Sequence, residues 1–333
     1  VSEARFESPE DFVVEEIPAY APEGQGDHTF VWVEKRLRTT EEVARGLARA
    51  AGVPARDVGY AGRKDRFAVT RQYFSVPGLP LSAALDLELP GVRVLGGAPH
   101  RHKLRTGHLA GNRFDLRVRG VAAAERARAH VQAGRLVAVG LPNRFGPQRF
   151  GRDGDNAERA RRLLGGKAAG TDRREARFLI SALQAEVFNE ALRRRELPVD
   201  RVELGDLARR TDSGGLFLVD DVEACNLRAS RFEISATGPI FGTRAAQPGA
   251  AVAEREREAL RACGVDPDDW RSPRGIRMRG ARRPVRARVL ELVLQDEADA
   301  LRVRFELPAG SFASVLLEEL LGSLPERGLS SPP

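Results

Sequence analysis

Hydrophobic positions along the chain recur with two periods, and the switch between them marks the elements. Residues 11–17, DFVVEEI, and 29–35, TFVWVEK, carry Val and aromatic residues in runs of strand length. PEGQGDH between them reads as a glycine-bearing loop. Thr39-Thr40-Glu41-Glu42 has the form of a capping box, so EEVARGLARA is predicted to be a helix, closed by Gly52 and Pro54. DVGYAG and RQYFSV follow as strand-like segments with RKDRFAVT between them. Residues 113–119, RFDLRVR, alternate strictly and predict another strand, followed by a helix over about 121–139.

After NRFGPQRFGRDGDN the texture changes. RFLISALQAEVFNEALRRR predicts a long amphipathic helix with Leu179, Leu183, Val187 and Ala191 on one face. Polar loops with short strands follow, in TDSGGLFLVDD and RFEISATGPIFG. A charged helix, AEREREALRACG, and a loop rich in Arg and Pro come next. From about residue 284 the strand pattern returns in VRARVLELVLQ and LRVRFEL. In PAGSFASVLLEELLG, Ser311 is placed to N-cap a helix with Phe312 in its first turn. Strands at both ends around a different middle predict one domain inserted into another. No repeat or low-complexity tract interrupts this pattern.

At 333 residues the chain is long enough for two domains, and its apolar and charged fractions suit a globular fold. Its apolar runs fall far short of a membrane span, and VSEARFESPEDF lacks the apolar core of a signal peptide. Cys225 and Cys263 form no C-x-x-C pair, which argues against a disulfide framework or thiolate zinc and makes a cytoplasmic location the expectation. The net charge of +7 permits an anionic partner. Only four of the 54 basic residues are lysines, however, so genomic base composition also contributes, and the placement of the arginines matters more than their number.

One carboxylate stands out. Asp65 lies within Arg63-Lys64-Asp65-Arg66, just after Gly59-Tyr60-Ala61-Gly62 and between two strand-like segments. Such a position, on a loop or at a strand end, can present a side chain to a ligand. Its cationic neighbours favour the ionised form, which suits an ion-pair partner or a nucleophile and not a general acid. No P-loop is spelled, and no second acid follows before Leu85 to share a metal. The G-x-x-G of a KH domain would join two helices, whereas here a strand follows. In N143-R-F-G-P-Q-R-F-G151 aromatics alternate with arginines and glycines. This composition can stack a base and grip its backbone, or can equally be a turn with two core phenylalanines. His100, His102 and His108 sit among cations without an acidic or cysteine ligand, which argues against zinc. Neither a G-x-S-x-G nor a helix-opening G-x-G-x-x-G is present.

GYAGRKDRFAVTRQ resembles the catalytic motif of the TruD family of tRNA pseudouridine synthases. EDFVVEEIP, LRTGHLAGNRFDLRV, PNRFGPQRFG, SALQAEVFNEALRRR, GPIFG and LPAGSFASVLLEEL resemble its other motifs in the family's order, over almost the whole chain. The resemblance implies an α/β (α+β) fold: a pseudouridine-synthase core with a mixed twisted sheet flanked by helices, formed by residues 1–156 and 283–333. A family-specific α/β domain is inserted at 157–282. It also implies isomerisation of a uridine in tRNA, usually at position 13, without metal or organic cofactor. Asp65 falls on the catalytic aspartate. Phe12, Asn143 and Phe312 fall on positions associated with the target nucleotide, and Phe145 on an aromatic that replaces a tyrosine of other pseudouridine synthases. The departures are Arg144, where tyrosine is common, and Arg63, where the family varies.

Arg63, Lys64, Arg66, Arg71, Gln148 and Arg149 are expected to contact RNA, and Lys103 and Arg105, with Arg101 and Arg113, to extend a basic track. Arg66 or Arg71 is the expected salt-bridge partner of Asp65. tRNA is the expected partner, with no membrane, no metal and a monomeric state. The competing reading is an RNA-binding or RNA-folding factor that does not turn over.

Overall fold

The computed structural model describes residues 3–151, 153–165, 172–267, 276 and 278–327. In chain order it runs β1 (Arg5–Phe6), β2 (Phe12–Pro18), β3 (His28–Arg36), α1 (Thr40–Ala51), β4 (Gly59–Tyr60), β5 (Val69–Pro77), α2 (Leu81–Leu85), β6 (Val92–His100), β7 (Leu109–Arg119) and α3 (Ala123–Val139). There follow β8 (Leu141–Pro142), α4 (Asn156–Leu164), α5 (Arg173–Arg193), β9 (Leu207–Arg210), β10 (Leu216–Leu218), α6 (Val222–Ser230), β11 (Ile234–Ile240), α7 (Ala250–Ala262), β12 (Ala281–Pro284) and β13 (Arg286–Ala287). The last elements are β14 (Leu290–Asp296), β15 (Ala300–Pro308), α8 (Ala313–Leu321) and β16 (Glu326–Arg327). These elements make up two units: Val1–Gly134 with Val289–Ala313 and Leu317–Pro333, and Arg135–Arg288 with Ser314–Leu316.

The first unit is built on a mixed sheet with the path β14-β15-β7-β2-β5-β3-β6. β2 and β5 pair in parallel, and the other neighbours on this path are antiparallel. One face buries Val31, Val33, Phe74 and Val76 against Val43, Ala44 and Leu47 of α1. Each large apolar side chain so buried contributes roughly 1.5–3 kcal/mol. The predicted capping box holds the start of α1: the Glu42 N–H donates to Thr39 Oγ1 at 3.1 Å and the Thr39 N–H to Glu42 Oε2 at 2.6 Å. Gly52, at φ 65°, ends the helix in the left-handed region.

On the opposite face, period-2 alternation and strand register bring charged residues into one row across six strands. Arg93 (β6), Glu34 (β3), Arg71 (β5), Glu15 (β2), Arg113 (β7) and Glu306 (β15) lie side by side. Consecutive members pair at 3.0, 2.9, 3.3, 3.0 and 2.7 Å. Each inner residue, once ordered, serves two pairs, so the entropy of fixing it is shared between them.

In the second unit α5 packs against α4, α7 and β11. The four predicted apolar positions of α5, Leu179, Leu183, Val187 and Ala191, are all buried. A Cβ at Gly238 of β11 would stand 2.8 Å from the Phe188 ring, so the helix rests on the strand only because that residue is glycine. β10-β9-β11-β12 form an antiparallel sheet, and β8 pairs with β13. Arg282 of β12 donates from both terminal nitrogens to Glu256 of α7, at 2.8 and 2.6 Å, with both side chains nearly inaccessible.

Two features differ from the sequence reading. β6 forms although Gly96, Gly97 and Pro99 interrupt its pattern, because its whole length pairs with β3. α8 starts one residue later than expected: Phe312 (φ −119°, ψ 124°) is its N-cap, in place of Ser311, and contributes no side-chain cap. The loop rich in Arg and Pro lies mostly outside the described residues.

Candidate active site

The Asp65 loop is the connection from β4 to β5, which pair as neighbours through Gly59–Ser75 and Tyr60–Phe74. At the loop's root, a Cβ on Gly59 would fall 2.2 Å from the Leu104 carbonyl oxygen, which excludes any larger residue. A main-chain bond and buried side chains then fix the loop peptide by peptide. The Ala61 carbonyl accepts from the Gly107 N–H at 2.8 Å, and the Gly62 carbonyl from Gln72 Nε2 at 2.9 Å. The Lys64 N–H donates to Thr40 Oγ1 at 2.9 Å, while the Thr40 hydroxyl donates to Gln72 Oε1 at 3.1 Å. Thr40, read from sequence only as part of a cap, is therefore a loop anchor.

Lys35 Nζ donates to the Asp65 carbonyl at 2.6 Å and to the Arg38 carbonyl at 2.8 Å. Its side chain is fully buried, and burial pushes its pKa down to about 8. The Asp65 carboxylate is itself oriented, since Oδ1 accepts the Phe67 N–H at 3.0 Å. Main chain and carboxylate of Asp65 are thus both held within a rigid setting.

The cations of the loop run do not crowd this carboxylate as expected. Lys64, predicted to face RNA, is only 5% exposed and donates from Nζ to Glu16 Oε2 at 2.7 Å, Glu16 being 1% exposed. Water is excluded there, so an ammonium needs a bonded counter-charge. Arg63 is exposed and paired with Glu41. Arg66 is exposed, its guanidinium 5.8 Å from the Phe67 ring centroid. Arg71 is taken up by Glu34 and Glu15 in the row of charges, as Arg113 is by Glu15 and Glu306. Among the described residues neither Arg66 nor Arg71 bonds to the Asp65 carboxylate, which corrects that expectation. Along the predicted track, Arg105 is exposed, Lys103 donates to the Arg56 carbonyl and Arg101 pairs with Glu23. His100 is buried beside Phe30, and among the described residues no three His, Cys, Asp or Glu side chains are grouped to hold a metal.

Two further predicted residues belong to this unit. Phe12, at the start of β2, is 9% exposed and meets Phe6 edge-on at 5.1 Å. Phe312 is half-buried at the N-cap of α8.

The remaining predicted residues lie in the second unit. Asn143 is buried and both ends of its amide are bonded: Nδ2 donates to the Pro284 carbonyl at 3.0 Å, and Oδ1 accepts from Arg283 at 2.6 Å. Arg283 also donates to the Asn143 carbonyl at 2.9 Å, and its guanidinium carbon sits 4.2 Å from the Phe145 ring centroid. Burial, with Arg149 nearby, pushes the Arg283 pKa down to about 10. Asn189 of α5 clamps the Phe145 main chain, accepting its N–H at 2.8 Å and donating to its carbonyl at 3.0 Å. Arg149 is half-buried, 5.7 Å from the Phe145 ring, and Gln148 is exposed on the same turn. Arg283 and Asn189 were missed from sequence. An Asn within the amphipathic stretch of α5 was the one available signal for the latter.

The α/β fold of this chain, a mixed sheet flanked by helices, is also found in the solved structure of a putative tRNA pseudouridine synthase D (TruD) from Methanosarcina mazei. The TM-score is 0.75 at 21% identity, covering 97% of this chain and 94% of that one. The family model for tRNA pseudouridine synthase D (TruD) matches residues 6–171 and 168–320. The tRNA pseudouridine synthase D of an Anaeromyxobacter species is 46% identical over 96% of this chain and 93% of its own. Those of Thermus thermophilus and Geobacter sulfurreducens are 44% and 38% identical, over 94% and 95% of this chain and 87% and 93% of theirs. The chain belongs to the TruD family.

Proposed function

We propose that this protein isomerises a uridine of tRNA to pseudouridine, with position 13 as its target and Asp65 as its catalytic carboxylate. The single observation that carries the assignment of Asp65 is its anchorage: Lys35 on its carbonyl, the Phe67 N–H on Oδ1, and a buried network beneath the loop. The activity rests on relatives, named tRNA pseudouridine synthase D, that match this chain nearly end to end.

In the reaction the N1–C1′ bond breaks, the uracil turns, and a C5–C1′ bond forms. N1 takes up a proton as C5 gives up its own. Atoms and electrons balance, so no oxidant or cofactor is required. The uridine must leave the stack to be reached, and aromatic faces such as Phe145 are suited to hold it. The carboxylate acts by attack at C1′, by addition to the base, or by removing a proton from C2′. Each route uses the ionised form. Phe12, Asn143 and Phe312 are assigned to the target nucleotide, and Arg105, Gln148 and Arg149 to the RNA around it. Residues 157–282 are assigned to the family's inserted domain.

The test is tritium release from tRNA labelled at C5 of uridine, in EDTA, for wild type and Asp65→Asn. Release by wild type alone supports both activity and residue. Release by both moves catalysis away from Asp65, and silence from wild type with tRNA tightly bound favours a binding factor.

A further inference from the structure

The fully buried ammonium of Lys35 is an expensive feature. It has left water, and its bonded partners are two main-chain carbonyls, with no carboxylate bonded to it among the described residues. The charges facing it are Asp65 and Lys64 from the loop, Glu41 and Glu42 from the first turn of α1, and, across Lys64, Glu16 of β2. Glu41 is engaged by Arg63, and Glu42 by the N–H of Thr39. A neutral side chain would fill this space at lower cost, so the charge needs another reason to be there.

The two bonds supply that reason. One fixes Arg38, just before the capped start of α1, and the other fixes the peptide that follows the Asp65 Cα. The orientation of that peptide sets the direction in which the Asp65 side chain leaves the loop. Thr40 on the Lys64 N–H, Gln72 on the Gly62 carbonyl and Gly107 on the Ala61 carbonyl act earlier in the loop, and the Phe67 N–H holds Oδ1, whereas Lys35 holds this peptide.

We infer that Lys35 is a positioning residue for the reaction: its ammonium grips the Asp65 carbonyl and so aims the carboxylate without touching the RNA. The inference rests on the assignment of Asp65 as the catalytic group. A charged donor binds a carbonyl about twice as strongly as a neutral one, so the grip weakens when the ammonium loses its proton. This happens at about pH 8, within reach of an activity assay.

The experiment is single-turnover tritium release with enzyme in excess, from pH 6.5 to 9.5, for wild type, Lys35→Met and Asp65→Asn, alongside tRNA affinity by filter binding. Misaiming a reacting group by about an ångström costs about a hundredfold. K35M is therefore expected to lose about that factor in rate while its tRNA Kd stays within about twofold. The wild-type rate should fall to a lower plateau above about pH 8, a limb that K35M lacks. K35M turning over at the wild-type rate, or a wild-type profile without that limb, overturns the inference. The profile needs no variant and decides the matter even if K35M does not fold. Turnover by D65N defeats the assignment of Asp65 instead, so the two failures are distinct.

Discussion

Glu16 and Lys64 form an ion pair under the Asp65 loop that can be dismantled one side at a time. Their side chains are 1% and 5% exposed, the Nζ to Oε2 distance is 2.7 Å, and Glu16 Oε1 also accepts the Tyr73 N–H at 3.3 Å. In Glu16→Leu the ammonium of Lys64 stays buried without its counter-charge, and in Lys64→Met the carboxylate does. Stranding one partner of such a pair costs about 3–5 kcal/mol, whereas replacing both with apolar groups of similar volume is close to neutral. The double variant should therefore recover most of the loss, retaining about 1–2 kcal/mol for the Tyr73 N–H left without its acceptor. In a unit of this size each kcal/mol moves the midpoint by about 2–4 °C, so each single variant should melt roughly 6–20 °C lower. Scanning calorimetry on wild type, both single variants and the double variant closes the cycle. The reasoning fails if either single variant lies within about 1 kcal/mol of wild type, or if the two losses simply add.

Asn189→Ala removes both bonds to the Phe145 main chain. A stability loss of about 1–3 kcal/mol by denaturant titration is expected, with weaker turnover of tRNA, and an unchanged midpoint would refute it. Burial, with Glu186 and Glu190 nearby, pushes the Cys263 thiol up to about 11. In the native protein at pH 8 it should react with a thiol reagent about a hundredfold more slowly than after unfolding, and equal rates would contradict this. Lys35 also predicts a pH dependence of stability opposite in sense to its effect on rate. Its pKa is about 8 when folded and near 10.5 in the unfolded chain, so between those values the unfolded state binds more protons. Wild-type stability relative to K35M should thus rise from pH 8 to 10.5, by up to about 3 kcal/mol, and a constant difference would refute it.

Much of the fold was legible because alternation survives wherever one face of a strand is buried. β2, β3, β5, β7 and β15 follow their predicted segments, and the four apolar positions of α5 are all inside. β6 was hidden because its two glycines and proline remove the side chains that carry the signal, although its main chain still pairs along β3. The short helix α6, which lies between segments read as loops and short strands, starts on a side-chain cap from Asp221.

The Asp65 loop could be located because strand-like runs flank it. What anchors the loop could not. Lys64 looked like one more surface cation because the carboxylate that buries it is 48 residues earlier in the chain. Asn189 and Phe145 are 44 residues apart, and Arg283 and Asn143 140 apart. A single sequence shows residue types and local periods, and it carries no record of which distant polar groups satisfy one another.

The row of alternating arginines and glutamates across the first sheet bears on how strongly binding to a polyanion should respond to salt. That response counts the small cations expelled when protein cations take their place along the phosphates. Arg71, Arg93 and Arg113 already spend their charge on Glu15, Glu34 and Glu306, and the six together sum to zero. Wherever that face meets RNA it displaces few ions, so affinity should fall with salt less steeply than 54 basic residues suggest.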